Sequence, residues 1–219
     1  MDTGLIGLIA KGIWETLYMT LGSTALAYIL GLPMGVVLFA TSKGGDWENR
    51  WVNGILGFFV NFMRSVPFII MLIWVIPITR AIVGTSVGSN ATVVPLVIAA
   101  APFVARMVES SLKEVDGGVI EAAHAMGASP IQVITKVLLP EAKPALLVGG
   151  SIAVTTILGY SAMAGFTGGG GLGAIAINYG YYRYQNDVMF ITVILLVIIV
   201  QILQEIGMRL ARRSDKRTR

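Results

Sequence analysis

The stretch EAAHAMGASPIQVITKVLLP, residues 121–140, interrupts a chain that is otherwise very apolar. It combines small residues with Glu121, His124 and Lys136, so it is too polar to lie in the hydrocarbon core of a bilayer. Hydrophobic residues make up 55% of the chain and charged residues 13%. Soluble proteins carry roughly 25% charged residues. The stretch is therefore expected to join membrane-spanning segments outside the bilayer.

Five apolar stretches surround this segment, and each has about the 20 mostly apolar residues that a spanning helix needs. They cover residues 14–40, 55–78, 87–108, 145–166 and 188–208. The third is the weakest, because Pro95 and Pro102 interrupt it. We therefore predict one all-α, polytopic transmembrane domain over residues 1–219, with about five transmembrane helices.

Arg64 is the most prominent charge inside a predicted span. An ionisable residue in a span is costly and usually faces a cavity or a partner, which would suit a structural role or a role in a substrate path. Alternatively, Arg64 lies at the start of a shorter span and extends its side chain to the interface. Asn53, Gly54 and Asn61 weaken the first half of this span and favour the second interpretation.

The distribution of Lys and Arg predicts the orientation, because these residues concentrate in cytoplasmic loops. With the N-terminus outside, the outer segments would hold only Lys11, Arg80 and Arg183. The inner segments would hold Lys43, Arg50, Arg106, Lys113, Lys136, Lys143, Arg209, Arg212, Arg213, Lys216, Arg217 and Arg219. We therefore predict an outer N-terminus, retained because it lacks signal-peptide features, and a cytoplasmic C-terminus. The tail RRSDKRTR is expected to contact anionic membrane lipid and not nucleic acid.

Residues 116–144 form the longest inner loop in this topology, and their pattern predicts two short helices joined at a glycine. One helical face would carry Val119, Ala122, Ala123 and Met126, with Glu121 and His124 on another face. Gly127 would end this first helix. A capping box and a proline at the first helical position would begin the second helix, at Ser129, Pro130 and Gln132. Such an element suits docking against another protein or lying on the membrane surface, and periodicity alone does not separate the two.

The loop carries a spaced motif: Glu121-Ala122-Ala123, three residues, Gly127, nine residues, Val137, one residue, Leu139-Pro140. This motif resembles the signature of the membrane subunits of bacterial ABC importers, in which Ile stands at the place of Val137. Within that family, the chain is similar to methionine importer permeases. The segments that carry this likeness are RSVPFIIMLIWVIPITRAIVGTSVG at 64–88, PFVARMVE at 102–109 and GYSAMAG at 159–165.

The resemblance implies a type I ABC permease of the bacterial inner membrane, so the outer N-terminus predicted from the Lys and Arg distribution would be periplasmic. It would import methionine, in D- and L-forms, or alternatively another amino acid or a small peptide. Its partners would be a second copy of the chain, a dimer of ATP-binding subunits and a periplasmic methionine-binding lipoprotein. The 116–144 loop would hold the coupling helix, with Glu121, Ala122, Ala123, Gly127, Val137, Leu139 and Pro140 as its motif residues. Span four would line the substrate path with Tyr160, Ser161 and Met163, or alternatively this segment would only pack against the second copy of the chain.

The residue types argue against catalysis, a metal or another cofactor in this chain. It has no cysteine and one histidine, His124, which is expected to be solvated or at an interface. Because no phosphate-binding loop is present, we expect ATP hydrolysis on a separate subunit. A secondary transporter would need intramembrane carboxylates or an inverted repeat, and a membrane enzyme would need convergent catalytic residues; neither is evident.

Two glycine patterns have more than one interpretation. Gly168-x-Gly170-x-x-Gly173 formally fits a dinucleotide-binding fingerprint, but that motif requires a preceding strand, and here a span precedes it. A flexible outer loop is the simpler interpretation of this run. Gly31-x-x-x-Gly35 has the spacing of closely packed membrane helices, although such spacing also arises by chance.

Overall fold

The computed structural model describes residues 3–215, with the backbone alone for Thr3, and all regular structure in this range is helical. The tail cations Lys216, Arg217 and Arg219 lie outside the described residues. A 3₁₀ turn (Ala164–Thr167) and two π turns (Val133–Leu138 and Ala176–Tyr181) join some of the helices. The α-helices are α1 (Thr3–Ala40), α2 (Arg50–Ser65), α3 (Phe68–Trp74), α4 (Ile76–Val83), α5 (Ser89–Lys113), α6 (Gly117–Ala125), α7 (Pro130–Gln132), α8 (Leu139–Glu141), α9 (Lys143–Met163), α10 (Gly171–Ile175) and α11 (Asn186–Ser214).

The apolar helices agree with the predicted fold class. Within residues 3–215, four stretches are helical, long and apolar enough to cross a membrane: Gly4–Ala40, Ser89–Lys113, Lys143–Tyr181 and Asn186–Ser214. The count becomes five if the bent pair α2 and α3 forms one span. The prediction of an all-α polytopic protein with about five spans is confirmed.

The second predicted span, residues 55–78, is wrong as a single straight helix. It is divided among α2, α3 and α4, and the axes of α2 and α3 differ by 104°. The bend lies at Val66, which is extended with φ −78° and ψ 123°, immediately before Pro67. Proline disfavours helical backbone in the residue before it and has no N–H to donate, so the helix ends there.

By contrast, Pro95 and Pro102 do not interrupt the third span. Both are buried inside α5, which stays one helix of 25 residues. Buried prolines are tolerated in membrane helices because neighbouring helices and small local adjustments compensate for the lost hydrogen bonds. The prediction of an interrupted third span is therefore wrong.

Helices α1 and α5 pack very closely at Gly31 and Gly35. A Cβ atom on Gly31 would lie 2.7 Å from the carbonyl oxygen of Ala101, and one on Gly35 would lie 2.5 Å from that of Ala105. Only glycine leaves room for the two backbones at this distance. The glycine spacing on α1 therefore marks a real helix contact, as small residues often do in membranes.

The glycine run after α9 is a packed turn, which corrects the interpretation as a flexible loop. Gly168 and Gly171 have φ +82° and +83°, in the left-handed region that favours glycine. The chain then enters α10, whose first amide, the N–H of Gly171, donates to Oε2 of Glu15 at 2.7 Å. The next amide, that of Leu172, donates to Oγ1 of Thr16 at 2.9 Å. Two side chains of α1 thus satisfy N–H groups that have no partner within α10 itself.

Candidate functional site

The 116–144 loop has the helix–glycine–helix form that its sequence predicts. Asp116 caps α6 by accepting a hydrogen bond from the N–H of Gly118 at 2.7 Å. Gly127 has φ +81° and ends this helical segment. Ser129 and Gln132 form a reciprocal capping box at the start of α7. The chain then continues through the π turn Val133–Leu138 instead of a regular α-helix.

Helix α6 is anchored to the core by Ala123, together with the partly buried Ile120. Ala123 is only 3% exposed and packs in the main buried cluster, which also contains Val133 and Leu138 of the same loop and Leu112 at the end of α5. A side chain longer than alanine would push α6 away from the π turn Val133–Leu138, against which it packs. The loop therefore extends the core of the membrane bundle as a rigid body and is not a loose connection.

The other side of α6 is uncovered. Val119 is 41% exposed, Met126 is 82% exposed, and Ala122 is also exposed. The predicted shared face of Val119, Ala122, Ala123 and Met126 is therefore wrong in one member, because Ala123 points into the core. Adjacent residues on a helix are about 100° apart, so the boundary between the two sides falls between Ala122 and Ala123. We call Val119, Glu121, Ala122 and Met126 the outer face of α6.

Two polar side chains of α6 have different surroundings. The carboxylate of Glu121 is exposed and has no hydrogen-bond or ion-pair partner among residues 3–215. Nε2 of His124 lies 3.0 Å from Oδ1 of Asp46. This contact links α6 to the loop that joins α1 and α2. His124 thus has a structural contact, while Glu121 remains free to meet another chain.

The last motif residues shape the base of the loop and lie apart from the outer face of α6. Val137 and Leu139 are partly buried and pack against the main core, and Pro140 is exposed in α8. Pro140 has no N–H to continue the helical hydrogen bonds, and it directly follows the π turn and Leu139. These residues direct the chain from the loop into α9.

A charge network that sequence reasoning missed joins α5 to α2. The carboxylate of Glu109 is 6% exposed and is held by Arg106 and by Nζ of Lys113, the latter at 2.7 Å. Arg106 also donates to Oδ1 of Asn61 at 3.1 Å and to the carbonyl oxygen of Gly57 at 3.4 Å. The signal was the spacing Arg-x-x-Glu-x-x-x-Lys, which places all three charges on one side of a helix. Arg106 and Lys113 also belong to the Lys and Arg asymmetry that predicts the orientation.

The three predicted path residues are near one another at the end of α9 but do not share a surface. The ring of Tyr160 stacks on that of Phe68, with 4.4 Å between the centroids and 3° between the planes. Ser161 is buried, and its hydroxyl donates to the carbonyl oxygen of Leu158 at 2.7 Å. Met163 is 47% exposed. Ser161 therefore stabilises helix geometry, while Tyr160 and Met163 lie closer to the surface.

Comparisons with known proteins agree with this architecture. A relative in Vibrio cholerae, a probable D-methionine transport system permease protein MetI, is 50% identical over 210 residues, which are 96% of this chain and 93% of the relative. The D-methionine transport system permease protein MetI of Escherichia coli K12 is 49% identical over 165 residues, or 75% of this chain and 76% of that protein.

Solved structures of transporter chains share the fold of this chain. A chain of the MetNI methionine ABC transporter in inward-facing conformations has a TM-score of 0.97 and 47% identity, covering 99% of this chain and 100% of that one. A chain of an amino acid ABC transporter with histidines has a TM-score of 0.79 at 19% identity, which shows the fold alone. The sequence model of the family described as binding-protein-dependent transport system inner membrane component matches residues 31–219. This chain therefore belongs to that family, the membrane-spanning permeases of ABC importers.

Proposed function

We propose that this chain is the permease subunit of an ATP-driven importer of methionine that accepts both the D- and the L-form. The observation that carries the proposal is the high identity, over nearly the whole chain, to permeases named for D-methionine transport. The solved methionine importer with almost the same fold supports it. All of residues 1–219 act as one transmembrane domain.

The permease works as a homodimer, with the translocation path along its two-fold axis. ATP is hydrolysed on a separate dimer of ATP-binding subunits, and a periplasmic methionine-binding lipoprotein delivers the substrate. The N-terminus is periplasmic and the C-terminus cytoplasmic, so the outer face of α6 lies on the same side as the ATP-binding subunits. The skewed distribution of Lys and Arg supports this orientation.

The 116–144 loop couples the two kinds of subunit. The unpaired carboxylate of Glu121 and the apolar outer face of α6 support docking into a cleft of the ATP-binding subunit. Ala122 permits close approach of the ATP-binding subunit to α6. Ala123 and Gly127 fix α6 on the rest of the loop. The segment from Val137 through Leu139 to Pro140 connects the loop to α9. Closure of the ATP-binding dimer moves the two docked loops together, and the spans open outward to accept substrate.

The end of α9 lines the substrate path. The exposed thioether of Met163 and the stacked ring of Tyr160 support contact with an apolar, polarizable substrate. Ser161 holds the helix backbone in position from within the bundle.

Transport by the purified complex tests the function. The permease is reconstituted in liposomes with its ATP-binding subunit and binding protein, and uptake of radiolabelled D- and L-methionine is measured with and without ATP. We expect ATP-dependent accumulation of both forms, which unlabelled methionine suppresses. Uptake of a different amino acid or a small peptide, with no uptake of methionine, would show that methionine is not the substrate.

A further inference from the structure

An open cleft of about 540 Å³ lies between α2, α5 and α9, and its charges are unbalanced. Three cations, Arg64, Arg106 and Lys113, line it against one carboxylate, that of Glu109. Arg106 and Lys113 already hold this carboxylate. Arg64, in the last turn of α2, has no ion pair or hydrogen bond among residues 3–215. One guanidinium group therefore faces the cleft with its donors unused.

The remaining wall of the cleft is largely apolar. Phe103 and Met107 are one helical turn apart on α5, and Ile152, which is 50% exposed, faces them from α9. A free cation beside an apolar wall is complementary to a small ligand with a carboxylate at one end and an apolar side chain. The volume is in the range of about 300–1,000 Å³ that is usual for small-molecule sites.

The cleft also continues the surface on which the proposed path lies. Ile152, Thr156, Gly159 and Met163 follow one another at intervals of four, three and four residues, which places them on one face of α9. Ile152, Gly159 and Met163 are exposed, and a Cβ atom on Gly159 would have no neighbour within 4 Å. This face of α9 is therefore open from the cleft to the predicted path residue.

We propose that the cleft is a transit site for the transported amino acid, in which Arg64 binds the substrate carboxylate. Phe103, Met107 and Ile152 contact its apolar side chain. The site accepts zwitterionic amino acids with an unbranched or branched apolar side chain. This proposal rests on the proposed function for the identity of methionine, but the recognition chemistry would be the same for another apolar amino acid.

The absence of cysteine from the chain allows a direct test. In the nucleotide-free complex, Ser110→Cys places a single thiol at the cleft, and its alkylation by N-ethylmaleimide is timed with increasing L-methionine. We expect methionine to slow alkylation and methioninol, which lacks the carboxylate, not to do so. Arg64→Gln should raise the L-methionine concentration that gives half-maximal protection from alkylation by about tenfold or more, because the charge-assisted hydrogen bond to the substrate carboxylate is lost.

Matched variants separate this role from a general effect on folding. Arg50→Gln removes an exposed cation from the other end of α2 and should leave protection unchanged, while Arg64→Lys should retain part of it. Ile152→Cys serves as a second reporter. Unchanged half-protection in a folded Arg64→Gln complex, or equal protection by methioninol, overturns the proposal. So does the lack of protection at both thiols in a complex that imports methionine.

The same experiment distinguishes an error in the proposed substrate from an error in the proposed role of Arg64. Protection by leucine or phenylalanine, with neither protection by methionine nor methionine uptake, rejects methionine as the substrate. It keeps Arg64 as the carboxylate site for apolar amino acids, provided that Arg64→Gln weakens that protection as well.

Discussion

Glu121→Lys should separate docking of the permease from its folding. The Glu121 carboxylate is exposed and has no partner among the described residues, so no contact within the permease is lost. We therefore expect the free energy of unfolding of the isolated permease to change by less than about 0.5 kcal/mol. A charge that a partner subunit covers must be paired, because burying it alone is expensive.

The effect should thus appear only in the complex. Removing one member of a buried, hydrogen-bonded charge pair at an interface costs about 2–5 kcal/mol. Each 1.4 kcal/mol is a factor of ten in affinity, so this cost weakens docking by roughly 30-fold to several thousandfold. Retention of the ATP-binding subunit on the affinity-tagged permease, and ATPase stimulation in liposomes, should fall together with uptake.

Glu114→Lys is the matched control, because Glu114 is also exposed, lies just before the same loop and undergoes the same change of charge. It should keep docking and uptake. An acidic residue introduced opposite position 121 in the ATP-binding subunit should restore part of both for Glu121→Lys. If Glu121→Lys retains the ATP-binding subunit and couples as well as the parent, Glu121 carries no contact, and docking rests on Val119, Ala122 and Met126 alone.

Four further changes test the rest of the structure. A reporter that is active only in the cytoplasm should work after Arg219 and fail before Asp2, and the opposite result would reverse the orientation. Gly35→Ala should lower the melting temperature in detergent, because its Cβ would lie 2.5 Å from a carbonyl oxygen of α5, whereas Gly22→Ala on the same helix should not. Met163→Trp should impair uptake more than assembly, and the control Ile194→Trp, at an exposed position of α11, should leave uptake unchanged; normal uptake in both would remove Met163 from the path. Glu109→Ala should destabilise the permease by about 1–3 kcal/mol, because the donors of two cations lose their buried acceptor. Chemical unfolding should show a smaller loss for Glu205→Ala, whose ion pairs are exposed.

The prolines show which features of this fold can be predicted from the sequence and which cannot. Pro67, Pro95 and Pro102 all lie in apolar stretches, yet only the first ends a helix. Pro95 and Pro102 are buried among neighbouring helices, whereas Pro67 is exposed. The choice between kink, break and continuous helix thus depends on tertiary packing, which no local pattern contains. The capping box of Ser129 and Gln132 was predictable because its hydrogen bonds join residues three apart.

The structures of the glycine run and of α6 also depend on contacts with residues that are distant in the sequence. A glycine-rich segment is compatible with a flexible loop and with close packing, and here the decision depends on Glu15 and Thr16, 156 residues away from the amides that they bind. Ala122 and Ala123 are identical in sequence terms, and only contact with α5 and the rest of the loop makes one buried and the other exposed. The motif could therefore predict where the proposed docking element lies but not which side of α6 is exposed.

Helix α5 joins the 116–144 loop, the proposed docking element, to the cleft. At its end, Leu112 packs in the same buried cluster as Ala123 of α6, and one turn earlier Glu109 binds Arg106, which holds Asn61 of α2. Coupling between two sites requires contiguous packed elements that can adopt two arrangements. In the proposed mechanism, a displacement of α6 by the ATP-binding subunit therefore reaches the cleft through the packed side chains of α5, and Arg106 passes it to α2. Because Glu109 orients Arg106, loss of Glu109 should lower the uptake achieved per ATP hydrolysed even in complexes that still retain the ATP-binding subunit.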